Sequence, residues 1–379
     1  MLTMAGPRPS VHLPAPVTRD AVPAFLTSLR AALDGNGPCL VIEHPSHRDS
    51  LQVPKVASAR EDIAVMVSTS GSTGSPRLVA LSTQTLTALT DYVNGRANPQ
   101  WISALPWSSM GGLNVAIRSL ACDAPVHFIE PTHPFDPQSV IGALNSMRSP
   151  AFISLVPTQV GRILRSPGGR EALARCAQIF IGGAPVSSDL RSRLDGLPIT
   201  LTYGMTETAG GCVFNGVPAP GVGVSIDPRD NRITITGPTV AIGYYPDTWF
   251  DGEFRTSDVG TLIDGTLTVT GRVDDVIIVR GTNVSLNAVS DALSAACHER
   301  ASGSEVCVVS VDHPEDGAVI CVAASGLSDA DLTQAIAEVR ERLGSPATPQ
   351  RSRVMGALPQ LPGGKIDRLT IAQLFEEQS

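Results

Sequence analysis

Between residues 63 and 203, short β-rich runs (63–67, 103–105, 126–129, 153–156, 179–181 and 199–203) are spaced by helical patterns such as 137–147 and 159–164. That alternation limits the chain to an α/β architecture with a largely parallel sheet, because a crossover must return the chain before each new parallel strand. A helical pattern at 22–33 and a strand-like run at 39–42 precede it. From about residue 213 the pattern changes to short strands, such as 232–236 and 266–270, separated by Gly, Pro and Asp. This reads as a small β subdomain. After residue 271 the pattern resets to strand, helix, two strands and helix. The apolar run 276–279, the helical 286–296 and the alternating runs 305–311 and 318–324 lead to a helix over 329–343. Ser328 and Asp331 form its capping box, and Leu332, Ile336, Val339 and Leu343 share one face. The expected division is an N-terminal domain over 1–271, a junction at 272–275 and a small α+β domain over 276–379.

At 379 residues the chain is long enough for two or three domains. A net charge of −8, with 28 Lys+Arg against 36 Asp+Glu and no block of like charge, argues against a nucleic-acid partner. Seven scattered cysteines without a C-x-x-C pair point to neither a disulfide framework nor a zinc site. No leader pattern and no run of about 18 strongly apolar residues is present. The expected compartment is the cytoplasm, with no membrane span.

Four segments carry chemistry. The first, STSGSTGSPR from Ser68 to Arg77, directly follows an apolar strand. Gly71 and Gly74 allow backbone N–H groups to wrap an anion. Ser70, Ser72 and Thr73 add hydroxyl donors, and Arg77 adds positive charge. A flexible Ser/Gly linker has the same composition but would not interrupt a sheet. The loop lacks the G-K-[ST] of a Walker A motif. The second, TYGMTET from Thr202 to Thr208, places Tyr203 to stack on a base, Thr206 to donate to a phosphate and Glu207 to hold Mg²⁺. An ordinary turn with a solvated Glu is the competing reading. The third is RTSDVG, with Asp258, followed by GRVDD from Gly271. An Asp and an Arg beside a nucleotide can hold ribose hydroxyls, and solvated turns would look alike. The fourth is GGKIDR, which sets Lys365 in a Gly-rich loop.

In their order, and with GGAP at Gly182 to Pro185, these motifs resemble the acyl-adenylate-forming superfamily of acyl-CoA ligases, peptide adenylation domains and luciferases. The resemblance runs from about residue 60 to the C-terminus. It implies that Thr69 to Thr73 cradle the ATP phosphates with Gly74 and Arg77. Gly182, Gly183 and Ala184 would border the adenine, with Tyr203 and Gly204 on its other side. Thr206 would contact the α-phosphate and Glu207 the metal, while Asp258 and Arg272 would hold the ribose. The resemblance further makes Asp274 a hinge for a mobile C-terminal domain, Lys365 the adenylation lysine and Gly281 part of a CoA tunnel. ATP, Mg²⁺ and CoA are the implied cofactor and co-substrates. Ser75 stands where many members carry a Lys, which leaves Arg77 as that loop's cation.

Within that superfamily, SLVPTQ (Ser154 to Gln159), ALPWSSMGGL (Ala104 to Leu113) and YGMTETAGGCVFNGVP are similar to the o-succinylbenzoate–CoA ligases of menaquinone biosynthesis, especially compact actinobacterial forms. The implied substrate is an aromatic keto-diacid. Ser108, Ser109, Gln159 and Arg162 are candidate donors to its distal carboxylate, and Gly210 and Gly211 would make room for the ring. Many relatives have a His where Ser109 stands. The alternatives are another aryl- or acyl-CoA ligase, a stand-alone adenylation domain serving a carrier protein, and a nucleotide-binding pseudoenzyme. The expected partners are small molecules, and a homo-oligomer is compatible with the sequence.

Overall fold

The computed structural model describes residues 7–43, 58–69, 77–95, 98–122, 124–132, 135–149, 151–313, 316–361 and 364–377. Two seven-stranded sheets replace the single sheet expected. In the first, Arg8–Pro14, Cys39–Glu43 and Val65–Thr69 run parallel. Arg77–Leu81 then returns antiparallel, and Gly243–Tyr245 adds beyond it. The second sheet has a parallel body of His127–Phe128, Gln100–Ser103, Ala151–Leu155, Gln178–Ile181 and Ile199–Met205. An antiparallel edge, Gly210–Phe214 and Val217–Pro218, completes it.

The helix Met110–Leu120 is buried between these sheets. Its Met110, Leu113, Ala116 and Ile117 pack against Leu40, Val65, Val79 and Leu81 of the first sheet. Its Val115 joins Trp101, Phe152, Phe180 and Phe214 of the second. Burial on nearly every side removes the polar stripe that marks a surface helix. Pro137–Ser146 and Pro157–Arg165 cover the far face of the second sheet, with Val140, Leu144, Val160 and Ile163 in its core.

A four-stranded antiparallel sheet follows: Gly223–Ile226, Arg232–Thr236, Glu253–Ile263 and Thr266–Arg272. A single 3₁₀ turn, Val273–Asp275, leads from it into the C-terminal sheet. That sheet pairs Glu305–His313 with Gly317–Ser325 antiparallel and adds Arg351–Met355 in parallel. Leu286–Arg300 and Asp329–Leu343 pack on one face through Val289, Leu293, Leu332, Ala335 and Val339. The capping box at Ser328 forms with Asp331, whereas Leu343 faces solvent instead of sharing the buried stripe. All seven cysteines are free thiols, six of them buried. No described helix is long and apolar enough to cross a membrane.

Candidate active site

Thr69, Gly182 and the Tyr203–Thr206 segment lie at the carboxyl ends of Val65–Thr69, Gln178–Ile181 and Ile199–Met205, the usual position of ligand crevices in α/β sheets. Gln178–Ile181 runs into Gly182, where a Cβ would lie 2.2 Å from Thr202 Oγ1. Only glycine fits between that turn and the neighbouring strand. Gly183 adopts φ +82° and faces the Lys365 side chain, whose Cε and Nζ would lie 2.9 and 3.3 Å from an added Cβ. Gly183 and Ala184 are open to solvent. On the neighbouring strand, Gly204 passes so close to Gly210 that a Cβ would meet its carbonyl oxygen at 1.9 Å. The strand Ile199–Met205 and the strand Gly210–Phe214 thus close tightly around the Tyr203 and Thr206–Thr208 segment.

Tyr203 donates its hydroxyl to Asp258 Oδ2 at 2.8 Å. Asp258 sits directly across from Arg272 in the small sheet, and its Oδ1 accepts from Arg272 Nη1 at 3.1 Å. Burial, then the adjoining Asp258 carboxylate, pushes the Tyr203 phenol well above its usual range. It therefore stays a neutral donor that fixes the carboxylate. Arg272 also reaches Asp274 Oδ2 at 3.3 Å, which ties this cluster to the junction between sheets. Asp274 itself lies on an exposed 3₁₀ turn.

Glu207 accepts a 2.7 Å hydrogen bond from Tyr244. Arg77 stacks over the Tyr244 ring, 4.5 Å from its centroid. Tyr244 belongs to Gly243–Tyr245, which pairs with Arg77–Leu81, so a residue of the first sheet orients the carboxylate of the second. The sequence signal for it is the GYY triplet at Gly243 to Tyr245, which the motif reading passed over. Among the described residues no group of three or more His, Cys, Asp and Glu could hold a metal ion. A single oriented carboxylate that shares the ion with phosphate oxygens and water suits Mg²⁺, which seldom occupies an all-protein cage.

Lys365 arrives from the C-terminal part. Thr158 Oγ1 donates to the Gly364 carbonyl at 2.7 Å, and the turn closes through Gly364 N to Leu361 O at 2.8 Å. Protein packed around the ammonium lowers its pKa below the ordinary lysine value, although the residue keeps a solvent-facing side. Thr69 lies at the end of its strand, opposite Arg77. The expected phosphate loop from Ser70 to Gly74, with Ser75, lies outside the described residues.

The candidate substrate donors are placed differently. Ser109 caps the helix Met110–Leu120, accepting from Gly112 N at 3.3 Å and donating to the Pro106 carbonyl at 2.8 Å. Gln159 is buried, accepts from Val156 N and donates to the Ala104 carbonyl. Arg162 turns to the C-terminal part, where it meets Glu305 and Gln360. Ser108 is half-buried. Gly210 and Gly211 lie in one wall, with Gly210 against Asn114 and Gly211 against Thr202. Gly281 forms the hairpin turn after Val276–Val279 at φ +79°, with open space around it.

The AMP-binding enzyme family matches residues 15–245, and the chain belongs to that family. A probable 2-succinylbenzoate–CoA ligase of Mycobacterium tuberculosis is 32% identical over 97% of this chain and 98% of its own length. Among solved structures, an amide bond synthetase from Marinactinospora thermotolerans superposes with a TM-score of 0.74 at 24% identity, covering 98% of this chain and 90% of that one. An o-succinylbenzoate CoA synthetase from Bacillus subtilis, in complex with its acyl-adenylate intermediate, gives 0.68 at 21% identity over 96% and 87%.

Proposed function

We propose that this protein is a cytoplasmic ATP-dependent acid–thiol ligase that converts o-succinylbenzoate, ATP and CoA to o-succinylbenzoyl-CoA, AMP and diphosphate, a step of menaquinone biosynthesis. The observation that carries the reading is the likeness to the M. tuberculosis ligase along nearly the whole of both chains. The placement of Lys365 against Gly183, and the Tyr203–Asp258–Arg272 cluster, support that reading, since such a reaction needs a cation and groups that hold a nucleotide.

In the first half-reaction a carboxylate oxygen of the acid attacks the α-phosphorus of ATP, and diphosphate leaves. Two anions must meet, so the site has to offset their repulsion with donors and cations aimed where charge develops. Lys365 brings a point charge on a flexible stem. Thr206 faces the α-phosphate, and Asp258 with Arg272 holds the ribose. Glu207, oriented by Tyr244, would hold Mg²⁺, which neutralises phosphate charge. Alignment of carboxylate and phosphorus can contribute about 7–11 kcal/mol. In the second half-reaction the CoA thiolate attacks the acyl carbon and AMP leaves. We place the turning point for the part from Val276 onward at Asp274.

The test is turnover of o-succinylbenzoate and benzoate with ATP and CoA, with AMP release and acyl-CoA mass as readouts. The diacid should win by about tenfold to a hundredfold in kcat/KM, the worth of one charge-assisted contact of roughly 1.5–3 kcal/mol. Equal values would sink the substrate assignment.

A further inference from the structure

We propose that Asp275 and Arg368 are positioning residues for adenylation: their ion pair ties the segment carrying Lys365 to the junction about which the C-terminal part turns. The inference rests on the ligase reading above, with Lys365 as its adenylating cation.

Lys365 lies in a segment, 364–367, that pairs with 359–361. Leu361 N donates to the Lys365 carbonyl at 2.7 Å, and Asp367 N donates to the Pro359 carbonyl at 2.9 Å. Gln360 and Ile366 form an antiparallel bridge between those two bonds. The two segments therefore move as one piece, and what holds that piece decides where the ammonium goes. One tether comes from outside the C-terminal part, the Thr158 bond to the Gly364 carbonyl. Within that part, the chain continues into the helix Arg368–Glu376, capped by Asp367, which packs Ile371 and Phe375 on Cys307, Val309 and Cys321. Apolar packing is non-directional and leaves the start of the helix free to turn. Arg368 supplies the direction. Its Nη2 lies 3.2 Å from Asp275 Oδ1 and donates to the Val308 carbonyl at 3.2 Å.

Asp275 ends the 3₁₀ turn Val273–Asp275 and is only 8% exposed, whereas Asp274 beside it faces solvent. Arg272 turns to Asp258 and Asp274, so Arg368 is the cation that Asp275 has among the described residues. A buried carboxylate without a cation is costly, which holds the pair together. The guanidinium thus joins three places: the residue after the proposed turning point, the strand Glu305–His313 and the end of the Lys365 segment. Rotation at Asp274 then carries Lys365 on an arm of fixed length, and the pair stays intact in either orientation. Such stiffness matters because displacing a reacting group by about 1 Å can cost roughly a hundredfold in rate.

Lysine occurs only at positions 55 and 365, so the Lys365 ammonium can be titrated directly by NMR with isotope-labelled lysine, using Lys55→Arg for assignment. Arg368→Met and Asp275→Asn are compared with wild type, and Arg368→Lys serves as the conservative variant. The first two should each lower kcat for ATP–diphosphate exchange by about tenfold to a hundredfold, with KM for ATP unchanged. Each should also raise the Lys365 pKa toward the ordinary lysine value, because a loosened segment returns the ammonium to water. Charge alone would give opposite shifts: losing the Arg368 cation raises the pKa of a nearby ammonium, and losing the Asp275 anion lowers it. Arg368→Lys should recover part of both effects. Acyl transfer from supplied acyl-adenylate should keep its wild-type rate. Opposite or absent pKa shifts overturn the inference, as does an equal loss in both half-reactions with a lowered melting temperature. If the wild type exchanges diphosphate with no acid, the ligase reading fails. The pKa shifts then decide alone: two upward shifts uphold the positioning of Lys365, and any other pair overturns it.

Discussion

At the scale of single residues, the site is built from groups that hold one another. Tyr203, Asp258 and Arg272 form one such set, and Arg77, Tyr244 and Glu207 form another. Tyr244 touches no reacting atom in the proposed chemistry and acts by positioning Glu207. Its removal should then appear in metal dependence. Tyr244→Phe keeps the ring under Arg77 and deletes the 2.7 Å hydrogen bond. We expect the Mg²⁺ concentration for half-maximal adenylation to rise about threefold to tenfold, and far more in Glu207→Gln. If Tyr244→Phe shifts only stability, with an unchanged Mg²⁺ titration, the hydroxyl has no such role. Lys365 gives a second residue-scale prediction. The proposed adenylation requires its cation, and burial lowers its pKa, so the charged form is lost as pH rises, earlier than for a free lysine. Adenylation should therefore decline on the alkaline side at a pH below the ordinary lysine range. Lys365→Ala should abolish that limb along with most of the rate, by roughly a hundredfold to a thousandfold.

At the scale of elements, the sequence was most legible where one face of an element meets water. The helix Asp329–Leu343 carries its capping box and apolar stripe openly; the structure has the box and buries the stripe at Leu332 and Val339, with Leu343 left in solvent. Ser328→Ala should cost about 1 kcal/mol, within a range of about 0.5–2 kcal/mol, and lower the melting temperature without altering kcat. A change in kcat at full folding would give the cap a functional role. Met110–Leu120 escaped the pattern for the opposite reason. It is buried from both sides and carries two glycines in its first turn, so it has neither a polar stripe nor strong helix propensity. The strand Arg77–Leu81 was missed because its run directly follows the Ser/Gly loop, and its antiparallel return splits the expected sheet in two. The motifs proposed to face the nucleotide were readable because glycines at close backbone approaches leave a mark in sequence. Tyr244 was not, since its role comes from what folding brings beside it.

For the molecule as a whole, polar contacts dock the C-terminal part on the rest. Glu305 meets Arg162 at 3.2 Å and Arg165 at 3.6 Å, and His298 Nε2 lies 2.9 Å from Asp189. Thr158 holds the Gly364 carbonyl, which brings Lys365 to Gly183. Val273, Val276 and Ile278, at the junction, are left exposed in this orientation. If the proposed rotation about Asp274 is right, the docked arrangement serves acyl-adenylate formation, and the thioester step uses another. Glu305→Ala leaves Arg162 and Arg165 without their carboxylate and lowers the population of the docked state. A tenfold drop in that population lowers adenylation at most tenfold, because the intrinsic rate of the docked form is untouched. Thioester formation from supplied acyl-adenylate should hold steady or improve. Asp274→Pro acts differently, since proline fixes φ near −65° and restricts the backbone of the junction. It should impair the half-reaction whose orientation that torsion disfavours, while the folded core on either side is preserved. The decisive measurement takes each half-reaction separately, as ATP–diphosphate exchange and as acyl transfer from supplied acyl-adenylate, in both variants. Opposite effects on the two halves support a moving C-terminal part. A parallel loss in both halves for both variants means that one static arrangement carries out all of the chemistry.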